Sequence, residues 1–260
     1  MQIYRFDGSF AGLLSCVFRA FQFKQFEIEI STTSTHQHLN LVADFVEVVT
    51  DPQHAERVWQ GLLKKLDKDA LRHIQRAFLS EQIEAYQHIF NYCVYVFQHR
   101  YKVSTNYAHP DVLAVSQWSK QVGREKHRME AFVRFKKTKQ GLYVALILPD
   151  FNVLPLIERH FKARYQDQSW LIYDEKRDYG IYYDGEKVQQ VHMQINEIDK
   201  NIDNGFSQDF SLEMDEDEPL YDQLWKDYFK SVNIKERSNL KLHVQYVPKR
   251  YWRYLNEKQL

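Results

Sequence analysis

Basic side chains are concentrated in residues 123–135, which read GREKHRMEAFVRF. Valines that precede this segment recur at helical spacing and predict an amphipathic helix over residues 111–128. The residues three or four positions from Arg124 on that helix are Lys120, Gln121, His127 and Arg128. None of them is a carboxylate, and like charges at this spacing cost roughly 0.2–0.5 kcal/mol each, a cost that an external anion would remove. This face is therefore predicted to bind an anion; the alternatives are a solvated face and an ion pair with a carboxylate from another part of the chain.

A second basic cluster stands in residues 248–254, which read PKRYWRY. Cations that alternate with planar rings are typical of surfaces that follow phosphates and stack unpaired bases. The alternative is that the rings of Tyr251 and Trp252 anchor this segment to the core while the cations point to water. Arg134 adds a cation on the polar side of a strand that alternating hydrophobicity predicts over residues 130–136. The predicted nucleic-acid-binding residues are Lys120, Arg124, His127, Arg128, Arg134, Lys249, Arg250, Tyr251, Trp252 and Arg253.

Aspartates at three predicted turns are the candidates for acid–base chemistry, which needs only one or two carboxylates and no fixed spacing. They stand in the turn Asp7-Gly8-Ser9, at Asp150 after a predicted strand, and at Asp184 before a glycine. Aspartate is also the residue that turns use for backbone hydrogen bonds, so each has a structural alternative. His127 lies among cations, which favour a neutral imidazole that suits a DNA-backbone contact or a general base. No catalytic residue is assigned from the sequence.

Several common chemistries lack their residues in this chain. The eight glycines form neither a GxxxxGK nor a GxGxxG pattern, which argues against nucleotide hydrolysis. Cys16 and Cys93, the only cysteines, are read as buried small hydrophobes, so no cofactor and no metal site are expected. Basic and acidic residues number 35 each, so any anion site must be local. No apolar run approaches the roughly 20 residues that span a bilayer, and no signal-peptide core is visible, so a cytoplasmic protein without membrane partners is expected.

The elements that position these residues predict an α+β protein of one domain, in which a helical bundle segment packs with an antiparallel sheet of ββαβββ order. A short strand over residues 3–6 precedes the helices, residues 31–40 read as a loop, and residues 41–49 read as a strand. A helix that begins near residue 219 is expected to bury Leu220 and Leu224. The predicted parts are a mainly helical part over residues 1–128, the sheet over 129–193, an acidic loop over 194–218 and C-terminal helices over 219–260.

Five long segments resemble a bacterial family that carries a domain of unknown function, DUF4130. They are YRFDGSFAGLLSCVF at residues 4–18, ERVWQGLLKKL at 56–66, VGREKHRMEAFVRF at 122–135, LPDFNVLPLIERHFKARYQDQSWLIYDEKRDYGIYYDG at 148–185 and LYDQLWKDYFKSVNIKERSNLKLHVQYVPKRYWRYLNE at 220–257. Members of this family are described as probable DNA metabolism or putative DNA repair proteins. The domain also occurs joined to a uracil-DNA glycosylase-like domain. The resemblance brings no assigned catalytic residue with it.

The stand-alone form of the family is similar to a linking protein between that glycosylase-like protein and a radical S-adenosylmethionine protein. The resemblance therefore implies DNA and these two proteins as partners. Together with the basic clusters, it leads to the hypothesis of a DNA-binding accessory protein in DNA repair or DNA modification. Two alternatives stay open, namely an enzyme that acts on a nucleobase or sugar through Asp and His residues, and a protein adaptor whose cations meet acidic partner surfaces.

Overall fold

A computed structural model describes residues 2–33, 44–99, 103–192, 214–218, 220, 223–224, 244, 246–255 and 258. The chain divides into two compact units, which we call the N-terminal unit (Met1–Arg124) and the C-terminal unit (Glu125–Leu260). Helices and two sheets are present, so the predicted α+β class is confirmed. Within the described ranges, no helix combines the length and the apolar composition that crossing a membrane requires.

The N-terminal unit combines a small parallel sheet with helices. Its elements are β1 (Gln2–Phe6), α1 (Phe10–Phe23), β2 (Ile28–Thr32), β3 (Asp44–Glu47), α2 (Pro52–Lys65), α3 (Lys68–Phe78), α4 (Ile83–Gln98) and the first part of α5 (Pro110–Phe132). The strands lie in the order β2-β1-β3, and both neighbours of β1 run parallel to it. A parallel neighbour needs a long crossover, and α1 supplies it between β1 and β2. The core of this unit contains fully buried side chains from the sheet and from four helices, among them Tyr4, Leu13, Leu62, Ile74 and Phe90.

The strand β2 was not predicted, because Ile28–Thr32 is short and borders a threonine-rich segment that reads as loop. The predicted loop over residues 31–40 therefore starts too early, and residues 34–40 lie outside the described part of the chain. The predicted strand over residues 41–49 corresponds to the shorter β3, with residues 41–43 also outside that part. Side-chain caps start α1, α2 and α3, since Ser9, Asp51 and Asp67 each accept a backbone N–H group of the helix that follows.

The C-terminal unit is built on a five-stranded sheet. After the last part of α5 come β4 (Lys136–Lys137), β5 (Tyr143–Ile147), α6 (Leu154–Arg164), β6 (Trp170–Asp174), β7 (Tyr179–Tyr183), β8 (Val188–Val191) and a 3₁₀ helix (Lys249–Tyr254). The strands follow chain order across the sheet, and the element order is the ββαβββ of the prediction. One pair differs from the predicted antiparallel arrangement: β5 and β6 are parallel, because α6 returns the chain to the same end of the sheet.

The strand predicted over residues 130–136 is wrong for most of its length. Helix α5 continues to Phe132, and β4 contains only Lys136 and Lys137. Glu125 and Met129 are buried on α5 and Phe132 packs beside Tyr251, so the buried side continues at helical spacing through residues where hydrophobicity also alternates.

Two further predictions concern the segment after residue 193. Leu220 and Leu224 were expected to be buried, but they are 57% and 55% exposed. Most of the predicted acidic loop, residues 194–213, lies outside the described residues. Its last residues are described, and Met214 forms an isolated β-bridge with Thr138.

Candidate nucleic-acid interface

Two exposed cations of the N-terminal unit, Lys120 and Arg124, stand one turn apart on α5. Helix α3 adds cations beside them. The Nη1 atom of Arg76 lies 3.5 Å from the position that a Cβ would take on Gly123, so this guanidinium rests against the α5 backbone. We call Arg72, His73, Arg76, Lys120 and Arg124 the α3–α5 patch.

The electrostatics of the α3–α5 patch are visible at His73. Burial lowers the pKa of His73, and the charges of Lys120, Arg76 and Arg72 lower it further, while Asp69 acts in the opposite direction. Asp69 is exposed and pairs with Arg72 at 3.1 Å. The Nε atom of Arg76 is buried and has no hydrogen-bond partner in the described part of the chain. Cations therefore outweigh acids in this patch, and its potential favours an anion.

The basic residues at the start of the C-terminal unit are more fully compensated. From the sequence, Arg128 like Arg124 is expected to lack a local acidic partner, but Arg128 pairs with Glu125 at 3.4 Å, so that expectation is wrong for Arg128. The residues three and four positions from Arg124 include no carboxylate. Arg128 differs, because Glu125 stands three positions before it on the same helix. His127 is largely exposed, and its Nδ1 lies 3.8 Å from Glu130. Arg134 donates to the carbonyls of residues 131 and 133 at the end of α5.

Glu125 is the centre of a hydrogen-bond network in the C-terminal unit. Its side chain is 1% exposed, and its Oε1 accepts from the backbone N–H of Asp150 at 2.9 Å and from the hydroxyl of Tyr251. Its Oε2 lies 3.4 Å from Nη2 of Arg250, and the same Nη2 lies 2.5 Å from Oδ2 of Asp150. Arg250 is thus held between two carboxylates, and the 3₁₀ helix is fastened to the end of α5 and to the residues after β5.

The remaining residues of the 3₁₀ helix show which alternative the structure favours for the C-terminal cluster. Tyr251 is buried beside Phe132, and both burial and the charge of Glu125 raise its pKa. Its ring is therefore not presented to a base. Trp252 is half-buried and donates from Nε1 to the Val247 carbonyl at 3.0 Å. Arg253 forms an ion pair with Glu175.

These contacts give the cluster an anchoring role. Lys249 is exposed, and its Nζ lies 5.9 Å from the centre of the Trp252 ring.

The turn Asp7-Gly8-Ser9 has a structural role in the N-terminal unit. Asp7 accepts from the Ser9 N–H at 2.9 Å and from the Thr50 hydroxyl at 2.8 Å. Burial alone would raise the pKa of Asp7, but these hydrogen bonds outweigh it and the pKa is lowered. A Cβ on Gly12 would stand 2.4 Å from Oδ1 of Asp7, so only glycine allows this carboxylate to lie against α1.

Asp150 and Asp184 belong to opposite ends of the five-stranded sheet. Asp150 follows β5, whereas Asp184 follows β7, which runs antiparallel to β6 and hence also to β5. Asp184 accepts the backbone N–H groups of Glu186 and Lys187, both at 2.9 Å, and these bonds lower its pKa. The two aspartates therefore do not form a common acid–base site.

Sequence reasoning missed four residues that the structure brings forward. Arg72 and Arg76 are spaced one turn apart in the sequence, but only the contact of α3 with α5 joins them to Lys120. Glu125 stands among basic residues in the sequence, and only its burial in the fold makes it the shared acceptor of the network. Asp174 is fully buried and pairs with Arg177 at 2.8 Å; burial raises its pKa despite this arginine.

The described residues offer no group of three or more His, Cys, Asp or Glu side chains arranged to hold a metal ion. Cys16 and Cys93 are free and buried, as predicted, and burial raises the pKa of each thiol to about 12.

Comparison with known proteins found one family. A family model described as a domain of unknown function, DUF4130, matches residues 83–257. The matched region contains Lys120, Arg124 and the whole Glu125 network, but not the α3 residues of the patch. No match was found among curated proteins or among solved structures. Because the match covers more than half of the chain, from α4 to the 3₁₀ helix, the chain belongs to the DUF4130 family.

Proposed function

We propose that this protein binds DNA through phosphate contacts at the α3–α5 patch and acts as an accessory protein in DNA repair or DNA modification. The observation that carries the proposal is the position of the Arg76 guanidinium, which lies against α5 at Gly123 in the same patch as the exposed Lys120 and Arg124. Cations that disfavour one another in the free protein gain stability when phosphates stand between them.

The type of cation supports phosphate as the ligand. Arginine presents a planar fork of N–H donors that matches phosphate geometry, and the patch contains three arginines, Arg72, Arg76 and Arg124. The structure gives Arg72 a carboxylate partner, but that ion pair is exposed and therefore weak. The resemblance to DNA metabolism proteins favours DNA over an acidic protein surface. An adaptor that binds an acidic protein is the competing outcome of the experiment below.

The network around Glu125 supports an accessory role over an enzyme. The aspartates that were candidates for acid–base chemistry accept backbone N–H groups in turns or pair with arginine. The buried Glu125 is occupied by donors of its own unit. The partners in this proposal, a radical S-adenosylmethionine protein and a uracil-DNA glycosylase-like protein, rest on the resemblance alone.

A charge-matched pair of variants tests the proposal. Affinity for a duplex oligonucleotide is measured by fluorescence anisotropy between about 50 and 200 mM salt, where each phosphate contact contributes a slope of about −0.9 in log affinity against log salt. Neutralising three patch residues is expected to make the slope shallower by about 2–3. The patch variant carries Arg76→Gln, Lys120→Gln and Arg124→Gln.

The control removes the same charge from exposed positions of the same unit, on or beside α1 and α2. It carries Lys24→Gln, Arg57→Gln and Lys64→Gln. The control is expected to keep the wild-type slope. Equal slopes for the patch variant and the wild type would refute DNA binding at this patch, and equal losses in both variants would reduce it to a general effect of net charge. Binding of an acidic protein with no salt-dependent binding of DNA would favour the adaptor.

A further inference from the structure

The edge strand β4 of the C-terminal unit is covered by an acidic segment of the same chain. Met214 forms a β-bridge with Thr138, and the N–H of Asp215 donates to the Lys137 carbonyl at 2.9 Å. The N–H of Lys137 in turn donates to the side chain of Glu218 at 2.6 Å. The segment therefore lies along β4 and satisfies backbone groups that an edge strand would otherwise present.

Side-chain charges reinforce this contact. The Nζ of Lys137 lies 2.9 Å from Oδ2 of Asp215, and the Nζ of Lys139 lies 3.9 Å from Oε1 of Glu216. The hydrogen bond from Lys137 is the main cause that lowers the pKa of Asp215. Two lysines of the β4–β5 hairpin are thus matched by two carboxylates, in register along the edge of the sheet.

The hairpin concentrates positive charge over a short length. Residues 136–139 read KKTK, so Lys136, Lys137 and Lys139 lie within one strand and the turn that follows it. Lysine ammonium groups bind carboxylate and phosphate through the same charge-assisted hydrogen bonds. The ion pairs with the acidic segment are partly exposed, and exposed pairs contribute little net stability, so a polyanion can replace them at small cost.

We propose that the β4–β5 hairpin is a second phosphate-contact site for nucleic acid, formed by Lys136, Lys137 and Lys139. In the free protein, the carboxylates of Asp215 and Glu216 occupy the positions that phosphates take in the complex. The inference rests on the proposed function in taking DNA as the polyanion, but it assigns a different surface and a different control of affinity. The acidic segment competes with phosphates for these lysines and therefore lowers the affinity of the free protein for DNA.

Neutralising the competitor tests this assignment. The double substitution Asp215→Asn and Glu216→Gln removes both charges and leaves Glu218 and the backbone contacts along β4 in place. Binding of a duplex oligonucleotide is expected to tighten, and the salt slope is expected to steepen by about 1.8, because each added phosphate contact contributes about 0.9. A variant that also carries Lys137→Gln and Lys139→Gln is expected to lose this gain. The charge-matched control is Asp167→Asn with Glu186→Gln, two exposed acids of the same unit.

The outcomes separate this inference from the proposed function. If the wild type binds DNA with a salt-dependent affinity and the acid-neutralised variant gains nothing beyond the control, the second site is refuted while the α3–α5 patch stands. A gain that survives the added lysine substitutions also refutes it, because the gain then arises elsewhere. If neither protein binds DNA, both proposals fail. An unchanged melting temperature in the acid-neutralised variant shows that a gain in affinity does not come from unfolding of the sheet edge.

Discussion

Replacing Glu125 by glutamine is expected to destabilise the C-terminal unit without weakening DNA binding. The carboxylate accepts from the Tyr251 hydroxyl, the Asp150 N–H and two arginines. A glutamine side chain keeps one acceptor oxygen but places an NH₂ group, which is a donor, where Oε1 or Oε2 met donors. At least two of these contacts are therefore lost.

The magnitude follows from the burial of each donor. Arg128 and Arg250 have side chains that are 28% and 41% exposed, so water can solvate these guanidinium groups when their ion pairs with Glu125 are lost. The Tyr251 hydroxyl is buried and the bond from the Asp150 N–H is partly buried, and a hydrogen bond to a charged group contributes about 1.5–3 kcal/mol. Because both donors share Oε1, an amide oxygen in its place keeps both bonds but as bonds to a neutral acceptor, each weaker by about 1 kcal/mol, and the NH₂ group then faces Arg128 and Arg250 in place of Oε2. The expected loss in the free energy of unfolding is therefore about 2–4 kcal/mol.

Urea unfolding followed by circular dichroism measures this loss. With an m-value of about 2 kcal/mol/M, the midpoint of the transition falls by about 1–2 M. The control is Glu186→Gln, which removes the same charge from an exposed turn of the same unit and is expected to leave the midpoint in place. An unchanged midpoint for Glu125→Gln would refute the view that this carboxylate holds the 3₁₀ helix. A lost DNA salt slope in a folded variant would show that Glu125 supports the interface itself.

Two further predictions concern His73 and Trp252. Burial and the neighbouring cations lower the pKa of His73, and bound phosphate is expected to raise it again, so DNA affinity should increase as the pH falls below the ordinary histidine pKa of about 6.5. His73→Gln should flatten this dependence in anisotropy titrations at constant ionic strength. In the absence of DNA, the unfolded chain takes up this proton at a higher pH than the folded chain does, so stability is expected to decrease as the pH is lowered over the same range. A His73→Gln variant with the pH profiles of the wild type would contradict the assignment. Trp252→Ala is expected to cost about 1–3 kcal/mol of stability, because the ring is only half-buried, and to leave single-strand affinity unchanged. Weaker single-strand binding at an unaltered melting temperature would instead restore the base-stacking role.

The sequence predicts the central strands of the five-stranded sheet well and the C-terminal end of α5 poorly. The sequence predicts strands over residues 170–174 and 179–183, on either side of a turn, and β6 and β7 occupy those ranges because local chemistry sets their bounds. Helix α5 runs past its predicted end because Phe132 packs beside Tyr251, more than a hundred residues away in the sequence. Where the hydrophobic pattern of a segment fits both a strand and a helix, such a distant contact determines which of the two forms.

The candidate site divides in the same way. Lys120 and Arg124 were predicted from helical spacing alone, whereas Arg76 joins them only through the contact of its guanidinium with α5 at Gly123. The partner of Arg250 was beyond prediction, because Glu125 stands 125 positions earlier and nothing in its own neighbourhood marks it as buried. A run of basic residues predicts unpaired surface cations correctly only if no carboxylate from a distant part of the chain pairs with them.

The link between Glu125 and Tyr251 has a consequence for the order in which the C-terminal unit assembles. The two residues are separated by 126 positions, so closing the loop between them costs roughly 4 kcal/mol in chain entropy. During synthesis Glu125 leaves the ribosome long before Arg250 and Tyr251 exist, and its carboxylate must stay hydrated until they arrive. The strand pairs β5–β6 and β6–β7 join residues much closer in the chain and can form earlier. Docking of the 3₁₀ helix is thus a late step, and the C-terminal unit of a nascent chain lacks the contacts of this helix with Glu125 until the segment has been synthesised.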